Sequence, residues 1–267
     1  MIFTRRHALG LVAGVVLSIT AGNALAADPL KVASYPANPP WENKTEAGTF
    51  EGFEVDIAND IAKRLGTTAE FEGMDFKALF VASASGRVDL VISSLTITDE
   101  RLKSQSFTQP YFIASLGIAA KEDSDINTAE DLKGKTVGAI ATSTPEKWAQ
   151  ENADKIGFAG YKSYDTLANM LTDLQNGRVD AVVNDMIGLR YAAKQTQGFV
   201  IKAEIVTGEK FAMMMPKDSP NLEKINQAIS DIKSDGSMAK YFEHWFGVAP
   251  AEGSVTVTPM PVPTSAE

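Results

Sequence analysis

One short loop, Ser94-Leu95-Thr96-Ile97-Thr98-Asp99-Glu100-Arg101, gathers hydroxyls, backbone N–H groups and a guanidinium. A planar carboxylate asks for that set: neutral donors to position it and a fork for bidentate pairing. The plainer alternative is an exposed Arg101 paired with Asp99 or Glu100, which contributes little. A second stretch, Ala141-Thr142-Ser143-Thr144-Pro145-Glu146, offers Ser143 or Thr144 as a helix cap, with Pro145 in the first turn and Glu146 where a capping box needs it. The N–H groups of such a terminus also attract anions, although a plain cap needs no ligand. Asp185 comes directly after Ala181, Val182 and Val183, so it is either a capping residue or the partner of a cation. Opposite a carboxylate site the natural cation is an ammonium. Together these groups describe a receptor for a zwitterion, with Arg101 for the carboxylate, Asp185 for the amine and hydroxyls for the remaining hydrogen bonds.

The elements that would carry these residues are written twice. "GRVDLVISS" runs from Gly86 to Ser94 and "GRVDAVVND" from Gly177 to Asp185. Each closes a helical stretch at a glycine, turns, and starts a buried strand with a polar far end. Upstream of the first, Phe53, Ile57, Ile61 and Leu65 recur every fourth position between the strands "LKVAS" and "TAEFEG", as in a βαβ unit. Upstream of the second, "KTVGAIATST" reads as a strand, and Leu167, Met170, Leu171 and Leu174 share a helix face. Two similar α/β units imply two similar lobes, and the carboxyl ends of their strands face a ligand crevice. Ser93-Ser94 and Asn184-Asp185 are then expected on opposite walls of one cleft. The alternative, that Gly-x-x-Asp before apolar residues is merely a common way to begin a strand, leaves both polar strand ends unexplained. The tail over 249–267, with prolines at 250, 259, 261 and 263, shows no sustained periodicity and is expected to be mostly disordered.

Composition narrows the function. Arg5 and Arg6, the apolar run from Ala8 to Ala21 and the small residues around Ala24-Leu25-Ala26 read as a secretory signal peptide over 1–26, cleaved on export to a periplasm. Without that leader, 23 Lys and Arg face 34 Asp and Glu, a formal charge of −11. So acidic an exported chain argues against nucleic acid and anionic lipid as partners. There is no cysteine, which excludes disulfides, thiol nucleophiles and thiolate metal sites. After the leader the one histidine is His244, read as a surface or packing residue, so neither a catalytic triad nor a metal centre is expected.

From about Leu30 to Gly247 the sequence resembles the bacterial extracellular solute-binding proteins of family 3, the polar amino-acid receptors of ABC importers. The resemblance rests on "PPWEN", "GTFEGFEVDIANDIAKRLG", "MDFKALF", "GRVDLVISSLTITDERLKSQSFTQPYF", "DLKGKTVGA", "NGRVDAVVND" and "IKSDGSMAKYFEHWFG", in that order. It implies a two-lobed α/β periplasmic-binding-protein fold of type II, with lobe 1 over 27–113 and 210–248, lobe 2 over 114–209, and a two-segment hinge. It further implies that Arg101, Ser94, Thr96 and Thr144 hold a ligand α-carboxylate, that Asp185 holds the α-ammonium, and that Phe76 forms an apolar wall. The partners it implies are a small-molecule amino acid or derivative and an inner-membrane ABC permease, with the receptor itself a monomer and no cofactor.

Departures from the family pattern bear on specificity. Tyr35 and Asn38 stand where relatives that bind basic amino acids carry an acid and a stacking aromatic, and "ATST" over 141–144 and Asn184 supply no acid either. Tyr35, Trp41 and Phe76 would then line a pocket for a neutral side chain, although Trp41 also suits core packing. The competing reading is an exported cyclohexadienyl dehydratase on the same scaffold, using Glu42 or Glu146 as general acid. A membrane-receptor sensor domain is disfavoured, since no second apolar span follows the leader.

Overall fold

In the computed structural model, which describes residues 28–264, the chain opens with β1 (Leu30–Ser34) and a small antiparallel layer of β2 (Ala37–Asn38), β3 (Glu42–Lys44) and β4 (Phe50–Glu51). There follow α1 (Phe53–Arg64), β5 (Ala69–Gly73), α2 (Phe76–Ala84), β6 (Leu90–Ile92), α3 (Asp99–Ser104) and β7 (Gln105–Phe107). Strand β8 (Phe112–Ala120) begins a second series: β9 (Thr136–Ile140), α4 (Thr144–Asn152), β10 (Gly160–Tyr164), α5 (Leu167–Gln175), β11 (Ala181–Asp185) and α6 (Met186–Gln195). The chain returns along β12 (Val200–Phe211) to β13 (Met214–Pro216), α7 (Leu222–Ser234) and α8 (Ser237–Phe246). The leader expected over 1–26 lies outside the described residues, among which no helix is long and apolar enough to cross a membrane.

The two sheets follow one plan. In the first, ordered β5-β1-β6-β13-β7, β1 runs parallel to β5 and β6 while β13 runs antiparallel to β6 and β7. In the second, ordered β10-β9-β11-β8-β12, β9 runs parallel to β10 and β11 while β8 runs antiparallel to β11 and β12. Helices cover both faces of each sheet, which is why Leu90–Ile92 and Ala181–Val183 are unbroken apolar runs rather than alternating ones. This is the two-lobed α/β fold expected from the sequence. The long strands β8 and β12 pair from Val200 opposite Ala120 to Phe211 opposite Phe112, and so form the two crossing segments.

The repeated Gly-Arg-Val-Asp does the same work in each lobe. Gly86 and Gly177 adopt left-handed φ of 68° and 71°, the geometry that ends a helix at lowest cost for glycine. The turn is closed by Arg87 N–H to Ala82 O and Arg178 N–H to Asp173 O, at 3.1 and 2.9 Å. Asp89 then accepts the Lys31 N–H at 2.9 Å, and Asp180 the Thr136 N–H at 2.7 Å. Each aspartate thereby ties the incoming strand to the neighbouring parallel strand of its own sheet, β1 or β9.

The tail departs from the expected disorder. Residues 249–264 contain no helix or strand, yet Thr256 is buried, the Met260 N–H donates to Gln109 Oε1 at 2.9 Å, and Lys233 Nζ donates to Thr258 O at 3.1 Å and Pro110 O at 2.7 Å. Individual hydrogen bonds anchor this segment, and they leave no periodicity in the sequence. Burial without an acidic partner lowers the Lys233 ammonium to about 7, so the two carbonyls matter to it. Ending the chain after Val248 should therefore cost about 1–3 kcal/mol and lower the melting temperature by several degrees. Thermal unfolding followed by circular dichroism tests this; an unchanged melting temperature would contradict it.

Candidate functional site

A cavity opens between the lobes where the carboxyl ends of β6 and β11 meet the crossing strands. Nine of the ten residues singled out in the sequence line it: Tyr35, Asn38, Phe76, Ser94, Thr96 and Arg101 from one side, Ser143, Thr144 and Asp185 from the other. Trp41 does not. It is fully buried in an aromatic cluster with Phe53, Phe112, Phe211 and Phe246, and reaches the site only through its Nε1–H, which donates to Asp185 Oδ2 at 2.9 Å. Gly52 permits this placement, since a Cβ there would lie 2.3 Å from the Trp41 carbonyl oxygen.

Asp185 ends β11 and caps α6, its Oδ2 accepting from the Gly188 N–H at 2.7 Å as well as from Trp41. Oδ1 is buried and has no hydrogen-bond partner among the described residues. Burial raises this carboxyl to about 6 against the pull of the Trp41, Gly188 and Ile187 N–H groups, so at neutral pH it is mostly ionised. An ionised, half-satisfied carboxylate facing a cavity is an acceptor for a cation.

Arg101 sits in α3, whose N-terminus is capped by Thr98. It stacks 4.8 Å from the Phe80 ring centroid and donates to Thr96 O at 2.9 Å and, across the cleft, to Thr142 O at 3.2 Å. Burial lowers its guanidinium to about 10, which still leaves it charged at neutral pH, and Glu209 nearby favours that charge. Its unused N–H groups are the cavity's cationic donors.

The turns that leave β6 and β9 at the edge of the cavity are held by buried glutamates. Ser94 carries a left-handed φ of 43° and Thr142 one of 64°, uncommon for residues with a side chain. The Ser94 N–H donates to both oxygens of Glu54, at 2.9 and 3.1 Å, and the Thr142 N–H donates to Glu146 Oε2 at 2.7 Å. Glu146 thus reaches one residue further back than a capping box would place it. The hydroxyl of Ser143 is used in the cap, accepting from Glu146 N–H at 3.2 Å and donating to Ile140 O at 2.6 Å. Ser143 lines the cavity, but the one donor of its hydroxyl is taken by Ile140 O.

Glu42 is fully buried behind Asn38 and Ser93, accepting from Asn38 Nδ2 at 3.1 Å and Ser93 Oγ at 2.7 Å. It abuts Glu54, itself fully buried and bonded to the Tyr111 hydroxyl. Burial drives both carboxyls upward, Glu54 to about 7 and Glu42 well above its ordinary range. Neither Glu42 nor Glu146, the acids a dehydratase would need, lines the cavity.

Glu209, near the end of β12, lines the cavity and was missed by sequence reasoning. Its Oε2 accepts from Thr96 Oγ1 at 2.8 Å and Thr144 Oγ1 at 2.9 Å. Those hydroxyls were assigned to a ligand carboxylate, and the structure gives their donors to Glu209 instead. Leu116, Ile140, Leu167 and Phe211 complete the lining with apolar surface. His244 is exposed beside Trp245 and takes no part, and among the described residues no cluster suited to a metal ion exists.

Comparison with known proteins agrees with this arrangement. Residues 30–248 match the model of the bacterial extracellular solute-binding proteins, family 3. The chain is 32% identical over 217 residues to the L-cystine-binding protein TcyJ of Escherichia coli (strain K12), covering 78% of this chain and 79% of that protein. It is 33% identical over 210 residues to the arginine-binding extracellular protein ArtP of Bacillus subtilis (strain 168), covering 78% and 82%. A solved structure of an ancestral arginine-binding protein bound to arginine superposes with a TM-score of 0.79 at 39% identity, covering 83% of this chain and all of that one.

The buried acids predict how stability varies with pH. Glu54, Glu42 and Asp185 hold protons in the folded chain at pH values where the unfolded chain, with carboxyls near 4, has released them. Between pH 5 and 7 the folded state therefore binds more protons, and stability falls as pH rises. The ligand-free protein should melt about 5 °C or more higher at pH 5 than at pH 7. Differential scanning calorimetry across that range checks the sign, and Glu42→Gln should flatten the dependence.

Proposed function

The chain belongs to the bacterial extracellular solute-binding proteins, family 3, and on that footing we propose that it is an exported receptor that captures a free amino acid and hands it to an ABC permease. The observation that carries the reading is the pairing, across one cavity, of a half-satisfied Asp185 carboxylate with a desolvated Arg101 guanidinium. An α-amino acid complements both, its ammonium at Asp185 Oδ1 and its carboxylate at the open N–H groups of Arg101. Thr144 adds its own backbone N–H, which as the first residue of α4 has no partner within the helix. Ser94 Oγ accepts from Asn38 Nδ2 at 3.0 Å and so keeps its own proton for the ligand, while Phe76, Tyr35 and Leu167 form the wall beside the side chain.

A neutral ligand side chain was expected because no acid occupies positions 35, 38, 141 or 184. Glu209, an acid in the lining, removes the premise of that expectation. Nothing favours the dehydratase alternative, since Glu42 and Glu146 are both engaged in holding backbone and neighbouring side chains. Export to the periplasm as a cleaved monomer is part of the proposal, supported by the family and by the leader composition.

Arg101→Ala should weaken binding of an α-amino acid by about 3–5 kcal/mol, a hundredfold to several thousandfold, because it strands a buried carboxylate. Isothermal titration calorimetry with the mature protein and a panel of the common L-amino acids decides this; a loss below fivefold in a folded variant would sink the carboxylate role. Asp185→Asn should reduce affinity for the free amino acid much more than for its deaminated analogue. Equal losses for the two ligands would remove the ammonium-partner role.

A further inference from the structure

A hydroxyl has a single donor and two acceptor lone pairs. In this cavity Thr96 and Thr144 both direct that donor to the same oxygen of Glu209, at 2.8 and 2.9 Å, with their own oxygens 3.2 Å apart. Toward a ligand they can therefore act only as acceptors. Asn38 is in a similar position: its Nδ2 is engaged by Glu42 and Ser94, which leaves Oδ1 as its remaining group. Asp185 adds the unpaired Oδ1. The lining carries one guanidinium, Arg101, against two carboxylates, Asp185 and Glu209, for a formal charge of −1.

From this we propose, building on the amino-acid receptor reading above, that Glu209 determines specificity by turning Thr96 and Thr144 into acceptors and making the cavity selective for amino acids of net positive charge. A zwitterion of neutral side chain satisfies Arg101 and Asp185 and leaves the Glu209 charge unbalanced. A ligand with one further cation brings the site to neutrality. A ligand with a second carboxylate meets Glu209 as a like charge in a partly desolvated space, which is unfavourable. Glu209 also partly offsets Arg101, so the cavity is a weaker trap for carboxylates than its arginine alone suggests.

The placement of Glu209 explains why one residue has this reach. It lies on β12, opposite Ala114 of β8, where the crossing segments pass beneath the cleft. Thr96 is bridged to Phe211, two residues further along the same strand, and Thr144 begins α4 on the other wall. The carboxylate can thus meet a hydroxyl from each wall at once.

The test is a calorimetric comparison of L-arginine, L-glutamine and L-glutamate on the wild type, Glu209→Gln and Thr144→Val. The wild type should prefer arginine to glutamine and glutamine to glutamate. Glu209→Gln, which keeps the shape of the side chain and removes its charge, should cut the arginine-to-glutamine affinity ratio at least tenfold and raise glutamate relative to glutamine at least tenfold. Thr144→Val, which removes one acceptor while keeping Glu209, should lower the arginine preference severalfold, and it serves as the readout if Glu209→Gln does not fold. Ratios within threefold of wild type in the folded variant overturn the role of Glu209 while leaving the receptor reading intact. A wild type that binds no amino acid overturns both.

Discussion

A carboxylate taken out of water must be fully hydrogen bonded or keep its proton, and four such groups stand around the cleft: Glu42, Glu54, Glu146 and Asp185, none more than 8% exposed. Each grips something that shapes the cavity, while Glu42 Oε2 and Asp185 Oδ1 have no hydrogen-bond partner among the described residues. Glu54 holds the Ser94 N–H, Glu146 holds the Thr142 N–H, Glu42 holds the side chains of Asn38 and Ser93, and Asp185 takes Trp41 and Gly188. The left-handed backbone at Ser94 and Thr142 costs on the order of 1–3 kcal/mol at each position. Hydrogen bonds to buried carboxylates are strong enough to offset it. Three of these acids, Glu42, Glu54 and Glu146, set the cavity's groups without lining it, and only Asp185 faces it.

The same contacts couple the lobes. Trp41 of the first sheet's core bonds Asp185 of the second, Arg101 bonds Thr142 O, and Thr96 meets Thr144 through Glu209. Closure of two lobes about crossing strands is a hinge motion, and a ligand stabilises the closed form only by contacts it makes better there than in the open form. Here the closed arrangement already has direct bonds of its own, all beside the cavity. A ligand that engages both Arg101 and Asp185 adds to bonds already bridging the gap, so its binding and closure favour each other.

Much of this was legible in the sequence, and the reasons for the exceptions are physical. Phe53, Ile57 and Ile61 announce α1 by their spacing, and the two Gly-Arg-Val-Asp turns announce β6 and β11, because helix and strand periods are local properties. Asp185 could be named because it ends the second of those strands, and Arg101 because it lies in the short polar stretch that follows the first. Glu54 could not, since it sits in the first turn of an amphipathic helix where an acid reads as a solvated residue, and only tertiary packing turns it inward. Trp41 was placed on the cavity wall by its type, whereas the aromatic cluster draws its ring into the core and leaves just Nε1 for the site. Glu209 was invisible because β12 reaches the cleft through its pairing with β8, a relation between segments about ninety residues apart. The tail was misjudged because single hydrogen bonds to Lys233 and Gln109 have no sequence period.

Two aspartates of the second lobe show why the chemistry belongs to one and not the other. Asp173 in α5 is also buried, but it lies between Lys162 and Arg178 with the Tyr164 hydroxyl as a third donor, and these hold its carboxyl far below the usual range. Its charge is already balanced by the protein, and it ties α5 to β10. Asp185 is oriented by a tryptophan N–H and a backbone N–H, neutral donors that fix its direction without cancelling its charge. A mostly ionised carboxylate with one unused oxygen is what remains. Neutral donors behind an acid thus leave a buried charge uncompensated at the cavity.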